Sequence, residues 1–255
     1  MEIEYFVKPD SDDEWFKYWT EERLKWYQDL GIKKEHLKLR PHESCELAHY
    51  AKGCYDIEFL FPMGWSELEG IANRGDFDLK QHSSASGKGM EYFDDETKEH
   101  YIPYVIEPSA GVDRSFLAFL IDAYDEDEAD GEKRVVLRLS PEIAPYKATV
   151  LPLSRKQPLA ELAKKVHKEL RNHLTVAYDD TQSIGRRYRR QDEIGTPYCI
   201  TVDFESLEDK RVTIRERDSM RQIRIPIAEL KSSLTAKLEG EDLFVLPPGG
   251  DIWKE

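Results

Sequence analysis

Apolar residues recur at helical spacing near the start of the chain. Trp15, Trp19 and Trp26 fall near one face of a stretch that begins at Ser11 and ends at Gly31. A serine followed three positions later by a glutamate is typical of a capping box, and a glycine is typical of a helix end. The pattern therefore predicts an amphipathic helix of about five turns.

The next segment changes to the alternation of strands. Alternating apolar residues over 55–61 predict a half-buried strand, and residues 67–72 and 101–106 predict two more. Residues 81–99 are rich in serine, glycine and charge, which predicts a mobile insertion. Apolar residues at helical spacing over 111–124 predict a helix.

An acidic run at residues 125–132 predicts a solvated turn before a strand at 135–139. Beyond residue 145, strands and helices alternate, which indicates an α/β domain whose helices cover a largely parallel sheet. The predicted strands span 148–153, 175–178, 198–204 and 212–217, and the predicted helices span 159–174, 183–194 and 226–238. Two prolines and two glycines at 247–250 predict a poorly ordered tail.

Charge is distributed unevenly along the 255 residues. Residues 1–146 carry 17 Lys and Arg against 33 Asp and Glu, or −16, whereas residues 147–255 carry 20 against 18, or +2, which together give −14. An acidic protein repels a polyanion, so a nucleic acid would have to bind through the second half.

Composition narrows the class of protein. Hydrophobic residues make up 40% and charged residues 35%, and no apolar run approaches the length of a membrane span. We therefore predict a globular protein without a membrane partner. Three cysteines are too few for a disulfide framework, and the first residues show no secretory signal, so we predict a cytoplasmic location.

Four strings carry a family resemblance. Residues 107–114 read EPSAGVDR and enter an apolar helix, which resembles motif 3 of class II glycyl-tRNA synthetases of the homodimeric type. MEIEYF at 1–6 is similar to the end of motif 2, ELEGIA at 67–72 follows in order, and YRRQDEIGTP at 188–197 resembles the anticodon-binding domain of the family. Almost the whole chain is covered.

The resemblance implies a fold of mixed class, α/β and α+β. It implies a partial class II catalytic domain with an antiparallel sheet over 1–145, a mixed-sheet α/β anticodon-binding domain over 146–239 and a C-terminal tail over 240–255. Motif 1 and the motif 2 arginine for the α-phosphate are absent from the sequence, so we expect this chain alone to form little or no glycyl-adenylate. It would be either a fragment or a natural truncated relative. The family is homodimeric.

A glycine site must hold an ammonium in a pocket too narrow for larger amino acids, because glycine has no side chain to grip. Acidic and small residues suit such a pocket. The resemblance implies glycine contacts at Glu2, Glu107, Pro108, Ser109, Ala110 and Gly111.

A nucleotide site is implied at the start of the predicted helix. Helix N-termini present free N–H groups to anions, and arginine offers a planar cation to phosphate oxygens. The resemblance implies ATP contacts at Glu67, Leu68, Gly111, Val112, Asp113 and Arg114. Arg114 and Glu67 would act in catalysis, Glu67 through Mg²⁺, which prefers carboxylate and phosphate oxygens. Without the resemblance, Arg114 would be interpreted as an ion-pair partner of Asp113.

An RNA site is indicated by four arginines on the predicted helix at 183–194. These are Arg186, Arg187, Arg189 and Arg190. Such a cluster can neutralise phosphates or stack on unpaired bases, although basic helices are more often solvated faces. The resemblance implies that the partner is tRNA(Gly).

Two functions are consistent with the sequence. The first is part of a glycine–tRNA ligase, which activates glycine with ATP and transfers it to tRNA(Gly). The second is a non-catalytic synthetase-like module that binds nucleic acid. A zinc site at His42, Cys45, His49 and Cys54 is disfavoured, since their spacing matches no compact zinc motif.

Overall fold

The computed structural model of the chain describes residues 1–129 and 131–252. Its contacts divide into two units, Met1–Asp122 and Ala123–Glu255. The division therefore lies before the predicted domain boundary at 145, and that boundary and the one at 239 stay predictions. No helix in the described residues has the length and apolar character needed to cross a membrane.

The first unit is built on a five-stranded antiparallel sheet in the order β1-β7-β4-β3-β2. Its elements are β1 (Tyr5–Val7), α1 (Asp12–Asp29), a 3₁₀ turn (Lys34–His36), β2 (Leu37–Pro41), β3 (Gly53–Phe61), β4 (Gly64–Gly75), α2 (Phe77–Ser86), β5 (Tyr92–Phe93), β6 (His100–Tyr101), β7 (Tyr104–Ala110) and α3 (Val112–Ala123), whose last residue belongs to the second unit.

The core of the first unit lies between the sheet and helices α1 and α3. Ile57, Ile71 and Ile106 from three adjacent strands are fully buried, and Tyr27 of α1 and Ala118 of α3 pack against them. Burying such side chains contributes roughly 1.5–3 kcal/mol each. The tryptophan stripe of α1 packs against this cluster as predicted, so one sheet face is covered by helices.

Two local predictions for the first unit were wrong. Ser11 makes no capping bond to the helix, because its hydroxyl donates to the carbonyl of Lys8 at 2.7 Å. The segment 81–99, predicted to be a mobile insertion, contains most of α2 and strand β5, which pairs with β6 just beyond the segment through Tyr92 and Tyr101. Cross-strand aromatic contacts stabilise such a hairpin and cannot be read from composition.

The second unit has a two-stranded β8–β9 sheet and a six-stranded sheet in the order β11-β10-β12-β13-β14-β15. Its elements are β8 (Tyr124–Ala129), β9 (Glu132–Leu137), β10 (Ala148–Pro152), α4 (Leu159–Leu170), β11 (Val176–Tyr178), α5 (Ile184–Glu193), β12 (Tyr198–Val202), α6 (Ser206–Asp209), β13 (Arg211–Glu216), β14 (Gln222–Pro226), a 3₁₀ turn (Ile227–Glu229), α7 (Leu230–Leu238) and β15 (Asp251–Ile252).

The larger sheet is mixed rather than largely parallel. Strands β11, β10 and β12 are parallel, because α4 and α5 supply the crossovers that parallel strands need. Strands β12 to β15 are antiparallel. Only the short α6 links β12 to β13, and a tight turn links β13 to β14, so these strands must reverse direction.

Of the acidic run 125–132 that was predicted to be a turn, residues 125–129 lie in strand β8 and Glu132 begins β9, while Asp130 lies outside the described residues. Opposing charges explain the strand. Asp127 pairs with Arg134 across the hairpin, and Arg138 donates to Asp125 at 2.7 Å. Pairing across strands removes the repulsion that would otherwise keep consecutive carboxylates solvated.

The predicted tail is ordered over residues 240–252. Ile252 of β15 pairs with Ile223 of β14, and the fully buried Lys237 donates to the carbonyl oxygens of Asp242 and Val245 at 3.1 and 3.0 Å. A buried ammonium requires such acceptors, which fixes the chain that supplies them. Residues 253–255 lie outside the described part.

A buried ion cluster joins α5 to the strands beside it. The carboxylate of Asp192 is fully buried and accepts from Arg215 Nη1 at 2.9 Å and from the buried Arg134 Nη1 at 3.4 Å. Each charge in the cluster is compensated only by its neighbours.

Replacing Asp192 should therefore lower the stability of the second unit. We expect Asp192→Ala to lower the free energy of unfolding by about 3–5 kcal/mol, because it removes the carboxylate that pairs with the buried Arg215 guanidinium. Urea denaturation of the chain measures this. Asp180→Ala is the matched control, since Asp180 is a partly exposed partner of Arg155. Equal losses for the two variants would contradict the prediction.

Candidate functional site

The ladder between β4 and β7 places the motif residues on the face of the first sheet opposite the helices. Glu107 lies opposite Ala72, and Ser109 lies opposite Gly70. Because side chains alternate along a strand, both point away from the core that contains Ile106. Glu107 and Ser109, which were predicted to contact the substrate glycine, therefore share one face.

An acidic cluster forms where the start of the chain meets β7. Glu2 forms a β-bridge with Ser109, whose hydroxyl donates to Glu2 Oε1 at 3.4 Å. Carboxylate oxygens of Glu2, Glu4 and Glu107 lie within 4.8 Å of one another. Burial, together with the Glu107 carboxylate, raises the pKa of Glu4. The cluster thus has a local excess of negative charge, which favours a cationic ligand such as an ammonium.

Arg74 is the cation that holds this cluster in position. It donates to Glu107 Oε2 at 2.6 Å and to both oxygens of Asp78 at 2.6 and 3.0 Å. Its guanidinium also stacks over the ring of Tyr50, 4.0 Å from the ring centre. The hydrogen bond from Arg74 lowers the pKa of Asp78. Arg74 is therefore a positioning residue for Glu107.

A β-bulge brings Glu67 to the same face. The register of β3 and β4 shifts just before Glu58, which lies opposite Glu67. Leu68 is the extra residue, and its side chain is buried. The extra residue reverses the alternation, so Glu67 Oε1 lies 3.7 Å from the position that a Cβ would take at Gly70.

Arg114 lies in the first turn of α3 and contacts the strand that carries Glu67. Its Nε donates to the backbone carbonyl of Glu67, its Nη2 donates to Ser66 Oγ at 2.6 Å, and its guanidinium lies over the ring of Phe61. In the described residues it makes no ion pair with Asp113. The guanidinium is held in a fixed plane beside Glu67.

The remaining predicted residues fall into two groups. Pro108, Ala110 and Leu68 are buried, so their side chains belong to the core, and a ligand would meet only their backbone. Gly111, Val112 and Asp113 are exposed at the start of α3. Glu4 and Arg74 were not predicted as site residues, although the alternation of Glu2 and Glu4 was a signal for the first.

Carboxylates approach each other beside Gly70. Glu67 Oε1 and Asp56 Oδ1 lie 3.7 and 3.9 Å from the position that a Cβ would take at Gly70. His42, Cys54 and Asp56 also lie close together. However, Asp56 is engaged by Arg40 at 2.7 Å, and burial raises the pKa of Cys54 to about 11, so its thiol stays protonated.

The four arginines of α5 have different environments. Arg187 is buried and donates to the backbone carbonyls of Thr181, Gln182 and Pro152. Arg190 donates to Asp179 through Nε at 3.0 Å. These two arginines hold the helix start, whereas Arg186 and Arg189 line an open groove.

The groove has a volume of about 840 Å³ and lies wholly within the second unit. Further arginines line it, one from β13 and one from the β13–β14 turn, and neither was predicted from the sequence. The arginines and the phenylalanine that line it are Arg186, Arg189, Arg215, Arg221 and Phe244. These residues come from three separate segments of the chain, so no local pattern could have predicted the groove.

Comparison with known proteins gives a family match for part of the second unit and relatives for most of the chain. Residues 147–237 match the family model described as Anticodon binding domain. The chain resembles one half of a glycine–tRNA ligase. The glycine–tRNA ligases of Thermobifida fusca and Geobacillus thermodenitrificans are each 55% identical to it, over 94% and 93% of this chain and 54% and 51% of their own length. That of Ruminiclostridium cellulolyticum is 58% identical over 94% of this chain and 52% of its own.

The chain thus spans about half the length of the curated glycine–tRNA ligases that it matches. These comparisons support a relation to proteins that charge tRNA with glycine. The matched anticodon-binding segment contains Arg186, Arg189 and the β13–β14 turn, but it ends before Phe244. Its mixed sheet with covering helices is consistent with an anticodon-binding domain.

The acidic cluster makes a titration test possible. Because Glu107 raises and Arg74 lowers the pKa of Glu4, Glu107→Gln should lower this pKa and Arg74→Gln should raise it. Carbon-13 NMR titration of the Glu4 carboxyl measures both shifts. Asp94, whose pKa is lowered within its own loop, serves as the internal control and should not change. Shifts of the same sign in both variants would contradict the described geometry.

Proposed function

We propose that this chain is part of a glycine–tRNA ligase, and that it contributes the glycine pocket, part of the ATP site and the domain that binds the anticodon loop. The observation that carries the proposal is the meeting of Glu2, Glu107 and Ser109 beside the start of α3. The similarity to glycine–tRNA ligases supports it. A partial class II catalytic fold for the first unit is part of the proposal.

In the first step, glycine is held through its ammonium. Glu2 and Glu107 accept hydrogen bonds from the ammonium, and Ser109 supplies a hydroxyl beside them. The glycine carboxylate attacks the α-phosphorus of ATP, glycyl-adenylate forms and pyrophosphate leaves. In the second step, the terminal hydroxyl of tRNA(Gly) attacks the glycyl carbonyl and AMP leaves. The chemistry needs no protein nucleophile, so alignment and charge stabilisation supply the catalysis.

Arg114, Glu67 and the start of α3 bind the nucleotide in this scheme. Arg114, whose Nε and Nη2 are held by Glu67 and Ser66, presents Nη1 and one guanidinium edge to phosphate oxygens. The exposed N–H groups at Gly111 and Val112 add the positive end of the α3 dipole. Glu67 would hold Mg²⁺, which when bound neutralises phosphate charge.

Further parts of the proposal depend on the resemblance alone. They are a homodimer for the full-length protein and a cytoplasmic location. The alternative function, a non-catalytic module that binds nucleic acid, is favoured by the anticodon-binding match taken by itself. The acidic cluster and its positioning arginine favour the ligase, because RNA binding gives no reason to gather three carboxylates around a small space.

The glycine pocket can be tested with a non-hydrolysable glycyl-adenylate analogue. We expect the chain to bind the glycyl analogue more tightly than the alanyl analogue, because a pocket that selects glycine must exclude a methyl group. Glu107→Gln should weaken glycyl-analogue binding about tenfold or more, because a charged hydrogen bond is lost. Isothermal titration calorimetry measures both. Glu22→Gln on the exposed side of α1 is the control. Equal affinity for the two analogues would refute the pocket.

The RNA interface can be tested by salt dependence. The affinity of the chain for tRNA(Gly) should fall steeply as salt rises, because phosphate contacts release counterions. Arg186→Gln and Arg189→Gln should each reduce the slope of log K against log salt by about one. Filter binding over a salt series measures the slope. Arg171→Gln is the matched control, because Arg171 is an exposed arginine directly after α4 and outside the groove. A flat salt response would contradict phosphate contacts.

A further inference from the structure

Two guanidinium groups in the described part of the groove lack a carboxylate partner. Arg186 and Arg221 are exposed, and within residues 1–129 and 131–252 neither has a carboxylate within ion-pair distance. Arg215, by contrast, is neutralised by Asp192 at 2.9 Å. Unpaired cations on the wall of an open groove repel one another and favour a polyanionic ligand.

One of the two cations is backed by an aromatic ring. The guanidinium carbon of Arg221 lies 3.6 Å from the centre of the Phe244 ring. Phe244 is half-buried and packs against the main core of the second unit, whereas Arg221 is exposed at the β13–β14 turn. One guanidinium face is thus covered by the ring, and the other is open to the groove. A guanidinium plane in this arrangement is a surface for stacking.

The aromatic ring is fixed before any ligand arrives. The backbone N–H of Phe244 donates to Asp242 Oδ1 at 2.7 Å. On either side of Phe244, the carbonyl oxygens of Asp242 and Val245 accept from the buried Lys237 ammonium. Arg211 forms an ion pair with Asp251 at 2.6 Å, which holds the following strand β15. A platform that is already rigid loses little conformational entropy on binding.

We propose that Arg221 and Phe244 form a stacking platform for one unpaired base of a single-stranded RNA segment, while Arg186 holds an adjoining phosphate. This rests on the proposed RNA-binding function and deepens it, because Phe244 lies beyond the segment that matches the anticodon-binding family. The C-terminal segment 240–252 is then part of the RNA site and not a mere tail.

The chemistry of the groove selects a nucleotide over an acidic peptide. Both ligands would satisfy the unpaired cations. Only a nucleobase offers a π-face for the open side of the Arg221 guanidinium, and base stacking adds affinity regardless of sequence. The large open groove accommodates a base turned out of a loop, together with its backbone.

The experiment uses the full chain and a hairpin RNA with the anticodon loop of tRNA(Gly). Each unpaired loop position carries the fluorescent base 2-aminopurine in turn. We expect quenching on binding at one position, because the base stacks there. Arg221→Gln and Phe244→Leu should abolish this quenching and weaken binding about tenfold each. Arg186→Gln should weaken binding and its salt dependence but leave the quenching unchanged.

Matched controls separate stacking from charge and folding. Arg171→Gln removes the same charge outside the groove, and Phe204→Leu makes the same ring loss at an exposed position. Circular dichroism and thermal unfolding check that each variant is folded. If Phe244→Leu unfolds, Arg221→Gln decides the question, since Arg221 is exposed.

The outcomes distinguish the inference from the proposed function. Salt-dependent binding without quenching at any position, or variants of Arg221 and Phe244 that match their controls, would overturn the stacking platform and leave the RNA-binding proposal standing. If the RNA does not bind at all, both are overturned. Position-specific quenching that both variants abolish would establish the platform.

Discussion

The antiparallel ladder between β4 and β7 is the constraint on which the site of the first unit depends. It sets Glu107 opposite Ala72 and Ser109 opposite Gly70, two small residues that leave the face open. A slip of one residue would turn both site residues into the core. The same ladder ends where α3 begins, so the strand that carries the acidic residues leads directly into the helix start that carries Arg114. The end of β7 thus carries the negative charge of Glu107, and the start of α3 carries the positive charge of Arg114.

Arginine serves two physical roles in this molecule, and burial distinguishes them. Arg134, Arg187 and Arg215 are buried, and their guanidinium groups donate to carboxylates or backbone carbonyls of the protein, so they stabilise the fold and do not face a ligand. Arg186 and Arg221 are exposed without carboxylate partners in the described residues. Residues 147–255 carry a net charge of +2, and because internal ion pairs cancel, the positive charge of the groove comes from the few arginines that remain without a carboxylate.

The sequence predicted those features that lie within a single strand, helix or turn. The strand 53–61 and the helix 112–123 have clear periodicity, and the motif that names Glu107 and Ser109 lies within one strand and the turn after it, so their shared face could be predicted. Contacts between distant segments were not predictable. The acidic strand β8 depends on Arg134 and Arg138, Arg187 donates to the distant carbonyl of Pro152, and Phe244 contacts Arg221 across a long separation in sequence. Charge along the sequence shows no such pairing.

The buried ammonium of Lys237 has a practical consequence for work on the second unit. It ties the last turn of α7 to carbonyl groups several residues further on, so a shortened version that ended near residue 240 would strand a positive charge in an apolar interior. The end of the family match at residue 237 is therefore a poor guide to where the folding unit stops. Any dissected version of this domain needs the segment that follows α7.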